Sequence, residues 1–337
     1  MFEMHNRRYT GSKYKLIKWI KELIKENCEG NKFFDVFAGT GVVTEYLINE
    51  FEEFVINDFL YSNEVIYNGF LLQEEFSMKK INEIIINYNE LDKSKLKENY
   101  VSENFGDKYF NKEDAKLIGY IREDIESLKI NNKINKKEYF ILLASLLFSL
   151  DRISNTCGHY DAYIKGKNIR SGFKYELISP IQLEKNQKID IYRCDANKLA
   201  KKIKSDIAFI DPPYNSRQYS RFYHVLENIT KWEKPELYGT ALKPKEENMS
   251  EYCKTSAPKI FEDLIESLNV KYIVVTYNNT YNSKSSSSKN KITLEEIQEI
   301  LQKKGDTKVF SKPYRFFNAG KTNLKDHKEY VFITKVK

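Results

Sequence analysis

Residues 211–214 read Asp-Pro-Pro-Tyr and follow directly on an apolar run, SDIAFI, at 205–210. The run predicts a buried strand, and the two prolines end it, because each removes a backbone donor and fixes φ. The result is a rigid extended lip at the carboxyl end of a strand, where open α/β sheets bind ligands. A carboxylate and a proline carbonyl can both accept hydrogen bonds from an exocyclic amine, while a phenol face stacks on a planar ring. Asp211, Pro212, Pro213 and Tyr214 are therefore candidate catalytic residues acting on an amino-bearing ring. A proline-terminated strand followed by a surface turn is the alternative.

Such a lip needs a second site for whatever reacts with the amine, and residues 31–50, NKFFDVFAGTGVVTEYLINE, have the form of one. They predict a strand over 33–37, a tight turn at Gly39 and Gly41, and a helix over 42–49. Glycines let the backbone pass close beneath a ligand, and a helix amino terminus presents free N–H groups. The GxGxxG spacing of dinucleotide folds is missing, and no lysine follows as in a P-loop. A second strand over 54–57 ends at Asp58, where α/β folds bind ribose hydroxyls, although a helix cap is a competing role. Another strand over 189–194 ends at Asp195. Upstream, residues 6–26 predict a polar turn holding Tyr9, Gly11 and Lys13, then an amphipathic helix.

The elements that position these residues fall at the two ends of the chain. From about 60 to 188 the strand–helix rhythm lapses: 62–130 predict mostly charged helices, and 139–150 a buried helix. The segment that follows mixes Arg152, His159, Lys165, Lys167, Arg170 and Lys174 with Tyr160, Tyr163, Phe173 and Tyr175. Basic residues interleaved with aromatics suit a surface that grips phosphates and stacks bases, and a solvated loop fits the composition equally well. A structural or nucleic-acid-contacting role suits the lone His159 better than catalysis. Beyond the lip the pattern predicts helices over 222–232, 258–268 and 292–303 and a strand over 271–277. A mobile serine-rich loop is expected over 278–290, and a terminal antiparallel strand pair, 309–317 with 330–335, around a basic loop.

Composition narrows the class. A formal net charge of +7 permits a polyanionic partner without demonstrating one. Cys28, Cys157, Cys194 and Cys253 form no CxxC pair, which argues against zinc ribbons and a disulfide framework, so reduced thiols and a cytoplasmic location are expected. No amino-terminal stretch has the order of a signal peptide, and the apolar run at 139–150 is too short to span a bilayer, so no membrane partner is expected.

The lip DPPY resembles motif IV of the adenine-N6 DNA methyltransferases, YTGSK at 9–13 resembles their motif X, and FAGTG at 37–41 their motif I. The order X, I, II, insertion, III, IV is similar to the Dam-like group. The blocks DPPYNSRQYSRFYHVLEN and NTCGHYDAYIK resemble modification enzymes of type II restriction systems.

The resemblance implies a Rossmann-like α/β methyltransferase sheet, mostly parallel with a terminal antiparallel pair, and a largely helical insertion. Residues 1–60 and 186–337 would form the catalytic domain, and 61–185 the inserted target-recognition region. It implies S-adenosyl-L-methionine as cofactor, covered by Tyr9, Gly11 and Lys13. Phe37, Ala38, Gly39, Thr40 and Gly41 would cradle it, with Asp35 at its methionine end, Asp58 at its ribose and Asp195 near its adenine. Arg152, His159, Tyr160, Arg170, Arg217 and Arg221 are the expected DNA contacts. The expected reaction is metal-free methylation of a flipped-out adenine in double-stranded DNA, with a cognate restriction endonuclease as a potential partner. An RNA or protein-amide methyltransferase and a non-catalytic nucleic-acid-binding relative are the alternatives.

Overall fold

The structure is a computed structural model that describes residues 1–166, 168–280, 288–314 and 327–337. Lys167, most of the serine-rich loop and the basic loop between the last two strands lie outside the described residues, as does the end of the strand expected over 309–317.

The chain forms two compact units. One consists of Ser12–Phe59, Lys185–Tyr219 and Asn248–Lys337, the other of Met1–Gly11, Leu60–Glu184 and Ser220–Glu247. Leu60–Glu184 is the longest of the three segments of the second unit. Two segments expected in the catalytic part, Met1–Gly11 and Ser220–Glu247, pack with the insertion instead.

The first unit is built on seven strands: β1 (Lys32–Asp35), β2 (Glu53–Asp58), β3 (Lys188–Arg193), β4 (Ile207–Ile210), β5 (Tyr272–Asn278), β6 (Gly305–Pro313) and β7 (Lys328–Val336). Their order is β3-β2-β1-β4-β5-β7-β6. The first five run parallel, and β7 runs antiparallel to both β5 and β6. This is the expected mostly parallel α/β sheet with its terminal antiparallel pair. β5 is buried at every position, as a central strand covered on both faces must be.

Side chains alternate between the faces of a strand, and here the alternation sorts core from chemistry. Phe34 and Val36, Ala208 and Ile210, Ile273, Val275 and Tyr277, and Phe332 join one apolar core with Phe261, Leu264 and Ile265 of the helix Ala257–Ser267. Each buried valine, leucine, isoleucine or phenylalanine among them contributes roughly 1.5–3 kcal/mol relative to exposure. Asp35, Asp211, Thr276 and Asn278 occupy the intervening positions. Glu329 pairs with Asn278 across β5 and β7 and so shares that face. Five polar side chains thereby collect on one face at the carboxyl ends of β1, β4 and β5.

The second unit is helical, with Tyr61–Leu71, Met78–Glu90, Lys112–Ile130, Lys136–Ile153 and His224–Lys231 as its longer elements. The helix Lys136–Ile153 contains the apolar run at 139–150 and is buried along nearly its whole length. Asn135 starts it, accepting from the Glu138 backbone N–H in a capping box. Among the described residues no helix is long and apolar enough to cross a membrane.

Candidate functional site

Asp211 stands immediately beyond β4, where three donors hold its carboxylate. Its Oδ1 accepts from the Tyr214 hydroxyl in a short contact and from Thr276 Oγ1 at 2.9 Å, and its Oδ2 accepts from Lys13 Nζ at 2.6 Å. A carboxylate offers about four acceptor directions. Oδ1 is therefore saturated, whereas Oδ2 keeps one direction beside Lys13. The Tyr214 ring is tilted against that of Tyr277, with centroids 4.5 Å apart, and the Lys13 ammonium lies over it at 5.0 Å. Burial, with Asp211 adjacent, pushes the Tyr214 phenol well above its ordinary range, so it donates as a neutral hydroxyl.

Lys13 was expected on a turn covering a cofactor, and here its ammonium sits on the lip carboxylate. Its neighbours in that turn belong to the helical unit. Tyr9 stacks on Tyr223 at 4.8 Å with Arg7 over both rings, and the Thr10 N–H donates to the Tyr223 hydroxyl at 2.8 Å. Gly11 has φ of 87°, a left-handed conformation that suits glycine.

The turn after β1 is formed largely as expected, though β1 ends at Asp35, two residues earlier. Gly39 and Gly41 adopt φ of 55° and 76°, and Gly41 leads into the helix Val42–Leu47. Ala38 N–H donates to Asn57 O and the Gly41 N–H to Ala38 O, closing a tight cradle. Thr40 is buried in it, and Phe37 packs edge-on against Tyr252 at 5.1 Å. Asp58 accepts from the Gly39 N–H at 2.9 Å, so it ties the tip of β2 to the turn rather than capping the next helix, whose N-cap is Leu60. Asp195 caps the short helix Ala196–Ala200, accepting from Lys198 N–H at 3.0 Å.

Asp35 is fully buried, and its Oδ2 accepts from Thr44 Oγ1 at 2.8 Å. Its Oδ1 has no partner among the described residues. Burial pushes the carboxyl up to about 7, against the Thr44 hydrogen bond, and Asp211 and Asp58 push in the same direction. A buried carboxylate oxygen beside a glycine turn is what a cationic ligand group would satisfy. No cluster of described residues could hold a metal ion.

The expected polyanion-contacting residues are dispersed. Arg170 is exposed. Arg152 is exposed and donates to Glu176 at 2.9 Å. The half-buried His159 stacks on Phe222 at 4.5 Å. Arg221 donates to the Pro244 carbonyl at 2.7 Å, and in the sheet unit Arg217 donates to Ser288 at 3.3 Å. Tyr160 departs from expectation: it is fully buried, with its hydroxyl donating to Asp151 Oδ1 at 2.9 Å, so it is a core residue and not part of a surface.

Thr276, Thr44 and Glu329 were not singled out by sequence. A threonine within YIVVTYN looks like one more β-branched strand residue, and Glu329 meets the lip only through the register of β5 and β7.

The sequence matches the family described as D12 class N6 adenine-specific DNA methyltransferase over residues 9–282. It is 31% identical to the modification methylase LlaI of Lactococcus lactis subsp. lactis over 94% of this chain and 52% of that protein. To the type II methyltransferase M.FokI of Planomicrobium okeanokoites it is 33% identical, over 96% and 52%. The chain thus spans about half the length of these two relatives. It is also 30% identical to the type II methyltransferase M.NlaIII of Neisseria lactamica, over 96% of this chain and 98% of that one. The family match over most of the chain and the identity to these relatives agree: the chain belongs to the D12 class N6 adenine-specific DNA methyltransferase family.

Proposed function

We propose that the protein transfers a methyl group from S-adenosylmethionine to the N6 amine of adenine in double-stranded DNA, as the modification component of a restriction system. The observation that supports this most strongly is the donor arrangement around Asp211. Tyr214, Thr276 and Lys13 fix the carboxylate and leave one acceptor direction, which suits a single N–H of an exocyclic amine. Pro212 is an acceptor with no N–H to compete, and it suits the second hydrogen.

The cofactor, when bound, supplies a methyl group on a sulfonium that is open to direct displacement. Asp35 would hold its cationic amine, which would give the orphaned Oδ1 a partner. The turn of Phe37, Ala38, Gly39, Thr40 and Gly41 would pass beneath it, with Asp58 and Asp195 toward its nucleoside end. The amine of adenine is a weak nucleophile because its lone pair is delocalised into the ring. Asp211 and Pro212, by accepting its hydrogens, favour a pyramidal nitrogen and stabilise the positive charge that develops there. Because the amine faces the interior of a duplex, the base must leave the stack. Residues 61–185 we assign to target recognition, with Arg152, His159 and Arg170 as candidate contacts, and Arg217 and Arg221 as candidates outside the insertion.

The test is incubation with methyl-labelled S-adenosylmethionine and, separately, duplex DNA, RNA and protein, with digestion of the products to nucleosides. Label in N6-methyladenine from the duplex is expected. Label in cytosine, in RNA or in protein, or in no acceptor at all, would overturn the assignment.

A further inference from the structure

Lys13 poses a difficulty for the chemistry just described. Asp211 assists transfer through its negative charge, yet an ammonium 2.6 Å from Oδ2 offsets that charge. Glu329 supplies a resolution. It lies opposite Asn278 on the face that carries Thr276, the residue holding Asp211. It is only 6% exposed, Asn278 is its register partner on β5, and its Oε2 has no partner among the described residues. Lys13 and Asp211 are both within electrostatic reach of it.

Taking Asp211 as the acceptor of the substrate amine, as proposed above, we propose that Glu329 is a second seat for the Lys13 ammonium. Lys13 sits on Asp211 in the resting protein and moves to Glu329 when Asp211 engages adenine. Glu329 is then a positioning residue: it touches neither substrate nor cofactor and acts by removing a cation from the carboxylate that does. The charges around it suit the exchange. Lys13 faces it from the turn before the first amphipathic helix, Asp211 and Tyr214 from the lip, and Tyr314 from beyond β6. Lys312 is its register partner on β6, with an ammonium that lies over the Trp19 ring at 5.9 Å. Burial pushes the Glu329 carboxyl up to about 7, Lys13 lowers it and Asp211 raises it, so the seat becomes ionised as pH rises through neutrality.

The test is single-turnover methylation of an adenine-containing duplex by the full chain, between pH 6 and 8, at saturating cofactor so that Asp35 stays ionised. The wild-type rate is expected to rise about tenfold across this range, following the fraction of ionised Glu329. Glu329→Gln should lose this rise and be about tenfold slower at pH 8, with S-adenosylhomocysteine affinity within about twofold of wild type by calorimetry. Adding Lys13→Met to Glu329→Gln should recover part of the lost rate, since no ammonium then remains on Asp211. Mere structural damage would not be repaired by a second substitution. A Glu329→Gln protein with the wild-type rate and pH rise, or a double variant no faster than Glu329→Gln, would overturn the exchange. Should Glu329→Gln fail to fold, Lys13→Met alone decides: the exchange requires its pH rise to vanish. A wild-type protein inactive on adenine would instead overturn the proposed function.

Discussion

The sheet unit and the helical unit treat their buried carboxylates differently. In the helical unit both oxygens of each one are engaged. Asp114 is the fullest case, accepting from Lys93 Nζ and Ser171 Oγ on Oδ1 and from the Gly172 and Phe173 N–H groups on Oδ2, at 2.6–3.1 Å. Asp151 accepts from Tyr160 and the Arg8 N–H, and Glu227 from the Tyr61 and Ser62 N–H groups. Glu138 accepts from the Ser77 and Asn135 N–H groups and from Lys80. In the sheet unit the two buried carboxylates, Asp35 and Glu329, each keep an oxygen without a partner among the described residues, and burial pushes both up to about 7. Satisfied carboxylates fasten loops to helices, whereas unsatisfied ones cost stability; under the two proposals above, a ligand completes Asp35 and the Lys13 ammonium completes Glu329.

The sharpest way to break this contrast is to replace the two kinds of carboxylate in parallel. Asp114→Asn should cost about 3 kcal/mol in urea unfolding, because an amide cannot accept from all four donors and strands at least one of them. Asp35→Asn should cost less than about 1 kcal/mol, since only the Thr44 bond depends on it, while S-adenosylmethionine affinity falls strongly. Equal destabilisation by both would show that Asp35 is structural.

A smaller effect sharpens the contrast through pH. A carboxyl raised on folding favours the folded state fully below its unfolded value, 3.8 for Asp35, and that contribution is lost as pH rises through about 7. A cationic ligand reverses the preference by drawing Asp35 into its charged form. Cofactor affinity measured by calorimetry should therefore tighten by about 25-fold between pH 5.5 and 7.5, and the dependence should flatten in Asp35→Asn. Loosening over that range would contradict the assignment.

The smallest effect belongs to the helical unit. Arg170→Ala should weaken duplex binding only a few-fold, about 1 kcal/mol or less, and lower the slope of affinity against salt by about one. Cofactor affinity should stay unchanged. A loss of cofactor binding with DNA binding intact would relocate that residue's role.

The same contrast explains what could be read from sequence. The lip, the glycine turn and the strands around them are local patterns: two prolines stop a strand and two glycines close a turn wherever they occur. The mostly parallel sheet and its antiparallel end were legible for this reason. Lys13 was visible as a candidate, but its partner lies 198 positions away, and no spacing rule connects them. Glu329 was hidden for a similar reason, because register alone sets it beside Asn278. Tyr160 misled because basic and aromatic residues mix in the same way on a binding surface and around a buried carboxylate. Only folding shows that its hydroxyl faces Asp151. The grouping of Ser220–Glu247 with the insertion likewise leaves no trace in composition.

The most direct measurement is single-turnover transfer of labelled methyl to an adenine duplex by wild type, Asp211→Ala and Tyr214→Phe, alongside duplex and cofactor affinities. Asp211→Ala should abolish transfer while both affinities hold, because the carboxylate acts on charge that develops only in the transition state. Tyr214→Phe should keep much of its activity, since the ring remains and Thr276 still holds Asp211 Oδ1. Full activity in Asp211→Ala, or a phenylalanine variant as inactive as Asp211→Ala, would contradict methyl transfer at this lip.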